Sequence, residues 1–345
     1  MEDSNLKKIG MGLVGVGFLA DKFVHCYRQD PRVKIVAVAS RTKIHAERFA
    51  REHEIDAWYT NYEEMFKRRD IDAINVCVPN FLHSQVTISA AEHGKHVLCT
   101  KPLATSLDQA KRMVAACERA GVKLMYGENW VYTPAAERIR EIISEGALGR
   151  LLAIEAREQH SGTHSPYALK RSLCGGGVLI HMAVHPIGFI MHTMGKPVRR
   201  VYAEIGNLLH DIEVEDYAVL IMRFEGGESG IAYSNYITKG GMQDRIEIYG
   251  SEGMAFINIT HINPIIIYSD VGYSYVVEKA SMSKGWTSPV MDENYQYGFC
   301  NMLHHFVTCI LVDKEPLSTG RFGAEVLKVV SAGYESSRRK AAVAL

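Results

Sequence analysis

Ile9-Gly10-Met11-Gly12-Leu13-Val14-Gly15-Val16-Gly17-Phe18-Leu19-Ala20 is the stretch on which the reading of this chain turns. Ile9–Val14 is an apolar run of strand length, and Leu19–Arg28 behind it has helical spacing. Between them Gly15, Gly17 and Ala20 fit G-x-G-x-x-A. In such a turn the first glycine permits a tight bend and the second lets a pyrophosphate approach the main chain. The small third residue lets the helix pack on the strand, and the positive helix end faces the phosphates. Gly15, Gly17, Phe18, Leu19 and Ala20 are therefore the predicted phosphate-binding residues of a dinucleotide site, because strand and helix supply the context the motif needs.

The same rhythm runs on to Tyr126. Strand-sized runs at Lys34–Ala39, Ala73–Val78, His96–Cys99 and Lys123–Tyr126 alternate with helical stretches at Lys43–His53, Asn61–Arg68, Phe81–His93 and Ser106–Ala120. This alternation predicts an α/β fold whose residues 1–126 form a doubly wound parallel sheet, a Rossmann domain. Ser106 before Gln109 reads as a helix N-cap and Gly121 as a C-cap. Residues 127–345 read instead as an α+β domain with a large, mostly antiparallel open sheet. Its predicted strands are Leu151–His160, Val198–Asn207, Asp216–Phe224, Glu228–Tyr236, Arg245–Tyr249, Ala255–Ile259 and Ile265–Tyr268, with a hairpin turn at Gly226-Gly227. Its predicted helices are Ala135–Glu145, Val178–Thr193, Asn294–Val312 and Ala324–Ser337, the last expected to pack back on the first domain.

Composition narrows the function classes. A length of 345 residues suits two domains, and 39 basic residues balance 39 acidic ones. That balance lacks the electrostatic footprint of a general nucleic-acid binder or of a protein drawn to anionic membranes. No apolar run approaches the roughly 18 residues of a membrane-spanning helix. The polar start Met1-Glu2-Asp3-Ser4-Asn5 has no basic segment ahead of an apolar one, so no signal peptide is expected. Cys26, Cys77, Cys99, Cys117, Cys174, Cys300 and Cys309 are odd in number and contain no CxxC pair. Free thiols in a reducing cytoplasm are the expectation.

At the end of the second strand an NAD site usually places an acidic residue on the ribose 2′-hydroxyl. Ser40 stands there, followed by Arg41, which can pair with a 2′-phosphate or stack on adenine. The cofactor expectation is NAD(P), leaning to NADP.

Further motifs carry a resemblance. Val78-Pro79-Asn80-Phe81-Leu82-His83, Gly94-Lys95-His96-Val97-Leu98-Cys99-Thr100-Lys101-Pro102-Leu103-Ala104, and Gly175-Gly176-Gly177 followed by a helix with His185 resemble the Gfo/Idh/MocA oxidoreductases. Glu215-Asp216, Gly250-Ser251-Glu252-Gly253 and the closing helix extend the match to essentially the whole chain. The resemblance implies NAD(P)-dependent chemistry on a sugar, cyclitol or related polyol. It also implies a homo-oligomer, a dimer or tetramer, formed through the C-terminal sheet.

The family's Glu-Lys-Pro becomes Thr100-Lys101-Pro102. The resemblance assigns Lys101 to the substrate hydroxyl beside the nicotinamide, where an ammonium stabilises charge on the reacting oxygen. Thr100 removes a carboxylate from that setting. The family's Asp-x-x-x-His becomes His181-x-x-x-His185, a spacing that on one helix puts both rings on one face. His185 matches the general acid/base, a role that suits imidazole. Pro79, Asn80, His83 and Thr100 are assigned with Lys101 to the nicotinamide side. His160, His164, Tyr167, His181 and Asn129 are assigned to substrate hydroxyls. A metal held by His160, His164 and His181 is the lesser reading of that histidine cluster. Two other functions stay open at this point: a redox-cycling glycosidase or lyase that works through a transient keto-sugar, and a non-catalytic cofactor sensor.

Overall fold

Short runs rich in valine, isoleucine and alanine pair side by side in the N-terminal part of the chain. The computed structural model describes residues 8–163, 165–260, 267–271, 282–287 and 292–345. β1 (Ile9–Val14), β2 (Val33–Ala39), β3 (Ala57–Tyr59), β4 (Ala73–Val76), β5 (His96–Thr100) and β6 (Leu124–Gly127) form one sheet in the order β3-β2-β1-β4-β5-β6. Every pairing in it is parallel. The intervening helices are α1 (Phe18–Arg28), α2 (Lys43–Glu52), α3 (Tyr62–Phe66), α4 (His83–Glu92) and α5 (Leu107–Ala120). β1, β4 and β6 are buried at every position, as expected of strands covered on both faces. Fully burying a side chain such as Leu13 or Phe23 stabilises by roughly 1.5–3 kcal/mol. Ser106 accepts the Gln109 N–H and Gly121 closes α5 at φ +66°, as the sequence predicts. β3 was not predicted; three residues are too few to show a period.

The second part begins with α6 (Pro134–Ser144), whose start is capped by the Thr133 hydroxyl. It continues with β7 (Leu151–Gln159), α7 (Arg171–Cys174), α8 (Val178–His181), α9 (Val184–Met194), β8 (Val198–Gly206), β9 (Tyr217–Phe224), β10 (Ser229–Asn235), β11 (Gln243–Gly250) and β12 (Met254–Asn258). β13 (Ile267–Ser269) and β14 (Gly285–Thr287) pair separately. α10 (Glu293–Gln296), α11 (Phe299–Leu311), α12 (Gly320–Arg339) and β15 (Val343–Ala344) close the chain. The larger sheet runs β12-β11-β7-β10-β9-β8-β15. Only β7 and β10 pair in parallel; the other pairings are antiparallel. The predicted hairpin at Gly226-Gly227 joins β9 to β10.

Two compact units result: residues up to Glu128 with Phe299–Ala324, and Asn129–Gly298 with Glu325–Leu345. In the second unit β7 alternates from Ile154 onward and β10 up to Ser234, and their inward positions carry Ile154, Ala156 and Ala232 against α9. A side chain on Gly230 would meet Ile190 of α9 at 2.6 Å, so helix and sheet pack closely there.

Three expectations are corrected. The helix predicted over Val178–Thr193 is broken after His181, and the helical runs Arg171–His181 and Val184–Met194 meet at 51°. Pro186 explains the break: it has no N–H to return to Met182, and its ring crowds that carbonyl. The ladder shifts accordingly, with Ala183 N–H on Val178 O and His185 N–H on Met182 O. His181 and His185 therefore stand on two helices and do not share one face. The helix predicted over Asn294–Val312 is likewise divided, at Gly298 with φ +78°. The third correction concerns the thiols, which are not all free. Cys26 of α1 and Cys300 of α11 form a disulfide with Cα atoms 4.8 Å apart. The packing of α1 on α11, marked by Phe23 and Phe299 at 6.1 Å, brings together two residues 274 positions apart. No spacing in the sequence announces such a pair. Among the described residues no single helix is long and apolar enough to cross a membrane.

Candidate active site

In the first unit the turn after β1 is shaped by neighbouring main chain. Gly15 donates its N–H to Ala39 O and holds φ +101°. A Cβ there would lie 2.3 Å from Cys77 O, so no other residue fits. Gly17, by contrast, is the N-cap of α1 and a Cβ on it would meet nothing within 4 Å. Ala20 is fully buried beneath, while Phe18 is 54% exposed with the Lys22 ammonium 4.9 Å over its ring. No side chain caps α1, whose leading N–H groups are those that hold anions at a helix start. A tight glycine, an open glycine and a bare helix start fit a dinucleotide pyrophosphate. At the end of β2, Ser40 is tied through its N–H to Tyr59 O and Arg41 is exposed.

The ends of β4 and β5 are held together by one imidazole. His83, 1% exposed at the start of α4, has Nδ1 2.8 Å from Pro102 O and Nε2 2.9 Å from Val78 O. Burial pushes its protonation below the usual histidine range, against the pull of these carbonyls. The Thr100 hydroxyl donates to Val76 O at 2.9 Å, bridging the same two strands. Asn80 is buried in the turn that follows Pro79. Lys101 emerges at the carboxyl end of β5, half-buried, followed by Pro102 across a cis peptide bond. His83 and Thr100 thus brace the segment that carries Lys101; their side-chain polar atoms serve the main chain.

In the second unit the inward face of the sheet changes character along its strands. Past the apolar positions come Glu158 near the end of β7 with His160 just beyond it, Ser234 near the end of β10 with Tyr236 just beyond it, and Asp244 on β11, all buried. Register places Glu158 opposite both Ser234 and Asp244. Here the structure brings predicted residues together around one phenol. Tyr236 lies with its hydroxyl 2.6 Å from His181 Nδ1, and its ring stacks on His160 at 5.5 Å. Burial pushes the Tyr236 phenol well above its ordinary ionisation range. Tyr167 is half-buried in the turn before α7, and burial raises its phenol above the ordinary range. Among the described residues no three His, Cys, Asp or Glu side chains converge as a metal requires. His164 lies outside the described residues.

His185, in the first turn of α9, is buried and stacks on Trp130 with centroids 5.8 Å apart and planes 10° from parallel. Trp130 is thus core packing against the imidazole. Asn129 is buried and donates its amide to Tyr297 O at 2.7 Å.

Sequence reasoning missed what holds this histidine region. Glu215 Oε1 accepts from Gly177 N–H, Leu179 N–H and the Tyr334 hydroxyl, and so caps α8. A Cβ on Gly177 would lie 2.2 Å from Glu215 O, which explains a glycine there. Burial by itself would raise the Asp216 carboxyl; donors from Leu208, Leu209 and His210 bring it below the usual range. Tyr236 carried no signal, being 55 residues from the histidine it meets.

A parallel sheet of order β3-β2-β1-β4-β5-β6 with this glycine turn defines a dinucleotide-binding protein. Residues 9–128 match the family model described as "Oxidoreductase family, NAD-binding Rossmann fold". Residues 136–256 match the GFO/IDH/MocA C-terminal domain. The chain belongs to the Gfo/Idh/MocA family of NAD-dependent sugar and cyclitol dehydrogenases, and is an NAD(P)-dependent dehydrogenase or reductase. It is 30% identical to 1,5-anhydro-D-fructose reductase of Ensifer adhaerens over 70% of this chain and 73% of that one. It is 26% identical to myo-inositol 2-dehydrogenase of Thermotoga maritima over 84% of this chain and 85% of that one. The crystal structure of GenD2 from gentamicin A biosynthesis, in complex with NAD, superposes with a TM-score of 0.93 at 24% identity, covering 100% of this chain and 99% of that one.

Proposed function

We propose that this protein transfers hydride between a nicotinamide and a secondary alcohol or ketone of a sugar, cyclitol or related polyol. The observation that carries the reading is the convergence of His160, His181 and Tyr236 at the polar end of an otherwise apolar sheet face, a setting suited to hydroxyl groups. Bound nicotinamide supplies the hydride acceptor or donor. The chain's own residues supply the rest. Lys101 donates a hydrogen bond to the substrate oxygen and stabilises charge there as its carbon is oxidised. His185 takes the hydroxyl proton in oxidation and returns it in reduction. Gly15, Gly17, Phe18, Leu19 and Ala20 hold the pyrophosphate, and Pro79, Asn80, His83 and Thr100 shape the nicotinamide side. His160, His164, Tyr167, His181 and Asn129 serve the substrate.

Arg41, exposed at the end of β2 with no carboxylate at Ser40, favours NADP through its 2′-phosphate. A homo-oligomer, dimer or tetramer, forms through the outer sheet face, where Met254 and Phe256 are 55% and 67% exposed; its place is the cytoplasm. The test is incubation with NAD⁺ or NADP⁺ against a panel of polyols and glycosides, followed at 340 nm with chromatography of products. Reduced cofactor accumulating with a polyol is expected. Glycoside cleavage with no net cofactor reduction would replace this reading with the redox-cycling one, and silence throughout would favour a sensor.

A further inference from the structure

The outer face of the larger sheet carries a charged feature that neither the dinucleotide turn nor the histidine region uses. Alternation along β8 and β9 turns Val201, Ala203, Leu220 and Met222 inward, where they are buried, and leaves Arg200, Tyr202, Ile221 and Arg223 on the other face. Register then sets Arg200 directly opposite Arg223, and Tyr202 opposite Ile221. Like charges that face each other across two strands repel. The acidic side chains close by in sequence are engaged elsewhere: Glu204 accepts from the Tyr202 hydroxyl, and Glu225 pairs with Arg199. Among the described residues the Arg200 guanidinium has no partner, and Arg223 donates to Gly227 O at 3.3 Å. Both arginines are exposed, and both line one hollow of about 180 Å³ whose other walls are Tyr202, Ile221 and Ala342.

We propose that this hollow is a binding site for a small dianionic oxyanion, a phosphate monoester or a dicarboxylate, held by Arg200 and Arg223. A guanidinium presents parallel N–H donors that match two oxygens of a phosphate or carboxylate, and two such forks match two negative charges. The bound anion supplies the counter-charge that the two strands lack. The hollow is smaller than the roughly 300–1,000 Å³ of a pocket for a drug-sized molecule, so its occupant is small. Ile221 and Ala342 give it an apolar wall, which fits a short carbon body attached to the anionic group. The site lies on the face opposite Ile154, Ala156 and Ala232, and the inference does not rest on the polyol reading. Met254 and Phe256, the exposed apolar residues of the outer face, stand on β12 at the other end of the strand order from β8.

The test is calorimetric titration of the full chain at fixed ionic strength, with the dinucleotide present in excess so that its own phosphate-binding turn is filled. Inorganic phosphate, glycerol 3-phosphate and succinate are the probes, and acetate is the single-charge control. At least one dianion should bind with one site per chain, roughly tenfold more tightly than acetate. Arg200→Gln and Arg223→Gln should each weaken that binding roughly tenfold. Arg199→Gln, the same change of charge on the same strand, should leave it unchanged. In anion-free buffer Arg200→Gln should melt no lower than wild type, because it removes one of two facing like charges, and lost binding is then not lost folding. No saturable binding of any dianion overturns the proposal, and so does an equal loss in all three variants. Size-exclusion chromatography distinguishes a free ligand from a carboxylate of a second copy. An oligomer that the dianions dissociate, and that Arg200→Gln weakens in their absence, assigns the hollow to a second copy and overturns the small ligand.

Discussion

The carboxyl end of β5 and the polar end of β7 and β10 hold their reactive-looking side chains by opposite means. Around β5, side chains are tied to main chain close by: His83 to Val78 O and Pro102 O, Thr100 to Val76 O. Around β7 and β10, side chains hold one another across long separations: His181 to Tyr236, and Glu215 to Tyr334 over 119 residues. A main-chain brace follows from strand order and survives many substitutions. A side-chain brace depends on particular residues, and removing one leaves buried partners unsatisfied. The first region should therefore separate chemistry from stability, whereas the second should confound them.

Lys101→Ala is the largest expected effect and tests the first half of that contrast. Its removal should lower kcat roughly 10²–10³-fold while cofactor Kd and Tm stay near wild type. An unchanged kcat with a raised cofactor Kd, read by steady-state kinetics and fluorescence titration, would move Lys101 into cofactor binding. Glu215→Ala tests the second half. It orphans the Gly177 and Leu179 N–H groups and the Tyr334 hydroxyl, and should cost about 2–4 kcal/mol in denaturant unfolding. Wild-type stability in this variant would erase the distinction between the two regions.

Arg41→Ala sharpens the comparison within the backbone-braced region, since Arg41 is exposed and braces nothing there. It should raise the KM for NADP⁺ roughly tenfold and that for NAD⁺ far less. Equal losses would make adenine stacking the better account. The smallest effect concerns His192, a histidine of α9 outside the Tyr236 group. Burial, with Arg140 nearby, pushes its protonation down to about 4. Folded protein thus holds this ring neutral where unfolded chain, with an ordinary value of about 6.5, takes up a proton. Stability from this group is present above about 6.5 and is lost as pH falls toward 4. His192→Gln should make the decline of Tm across that window shallower and leave Tm at neutral pH little changed. An identical pH slope in thermal melts would refute it.

Much of the first unit was legible because its signals are local. A strand, a Gly15-x-Gly17 turn and a helix follow one another in twelve residues, and Ser106 and Gly121 mark α5 from its own ends. The break after His181 was missed although Pro186 signals it, because the apolar run around it reads as one helix. The Tyr236–His181 contact and the capping role of Glu215 were not legible, nor was the Cys26–Cys300 bond, since each depends on elements meeting that are far apart in the chain.

The sequence by itself determined the alternation of strands and helices, the glycine turn, and the presence of Lys101 and His185 in motifs with an assigned chemistry. These rest on periodicity, backbone sterics and residue type, all properties of short segments. Tertiary structure alone decided which histidine meets which partner: His83 is consumed by main-chain carbonyls, His185 stacks on Trp130, and His181 is set by Tyr236. The physical reason is that a ring's proton and plane are dictated by whatever lies within about 3 Å of its nitrogens, and that neighbour is chosen by packing, not by position along the chain.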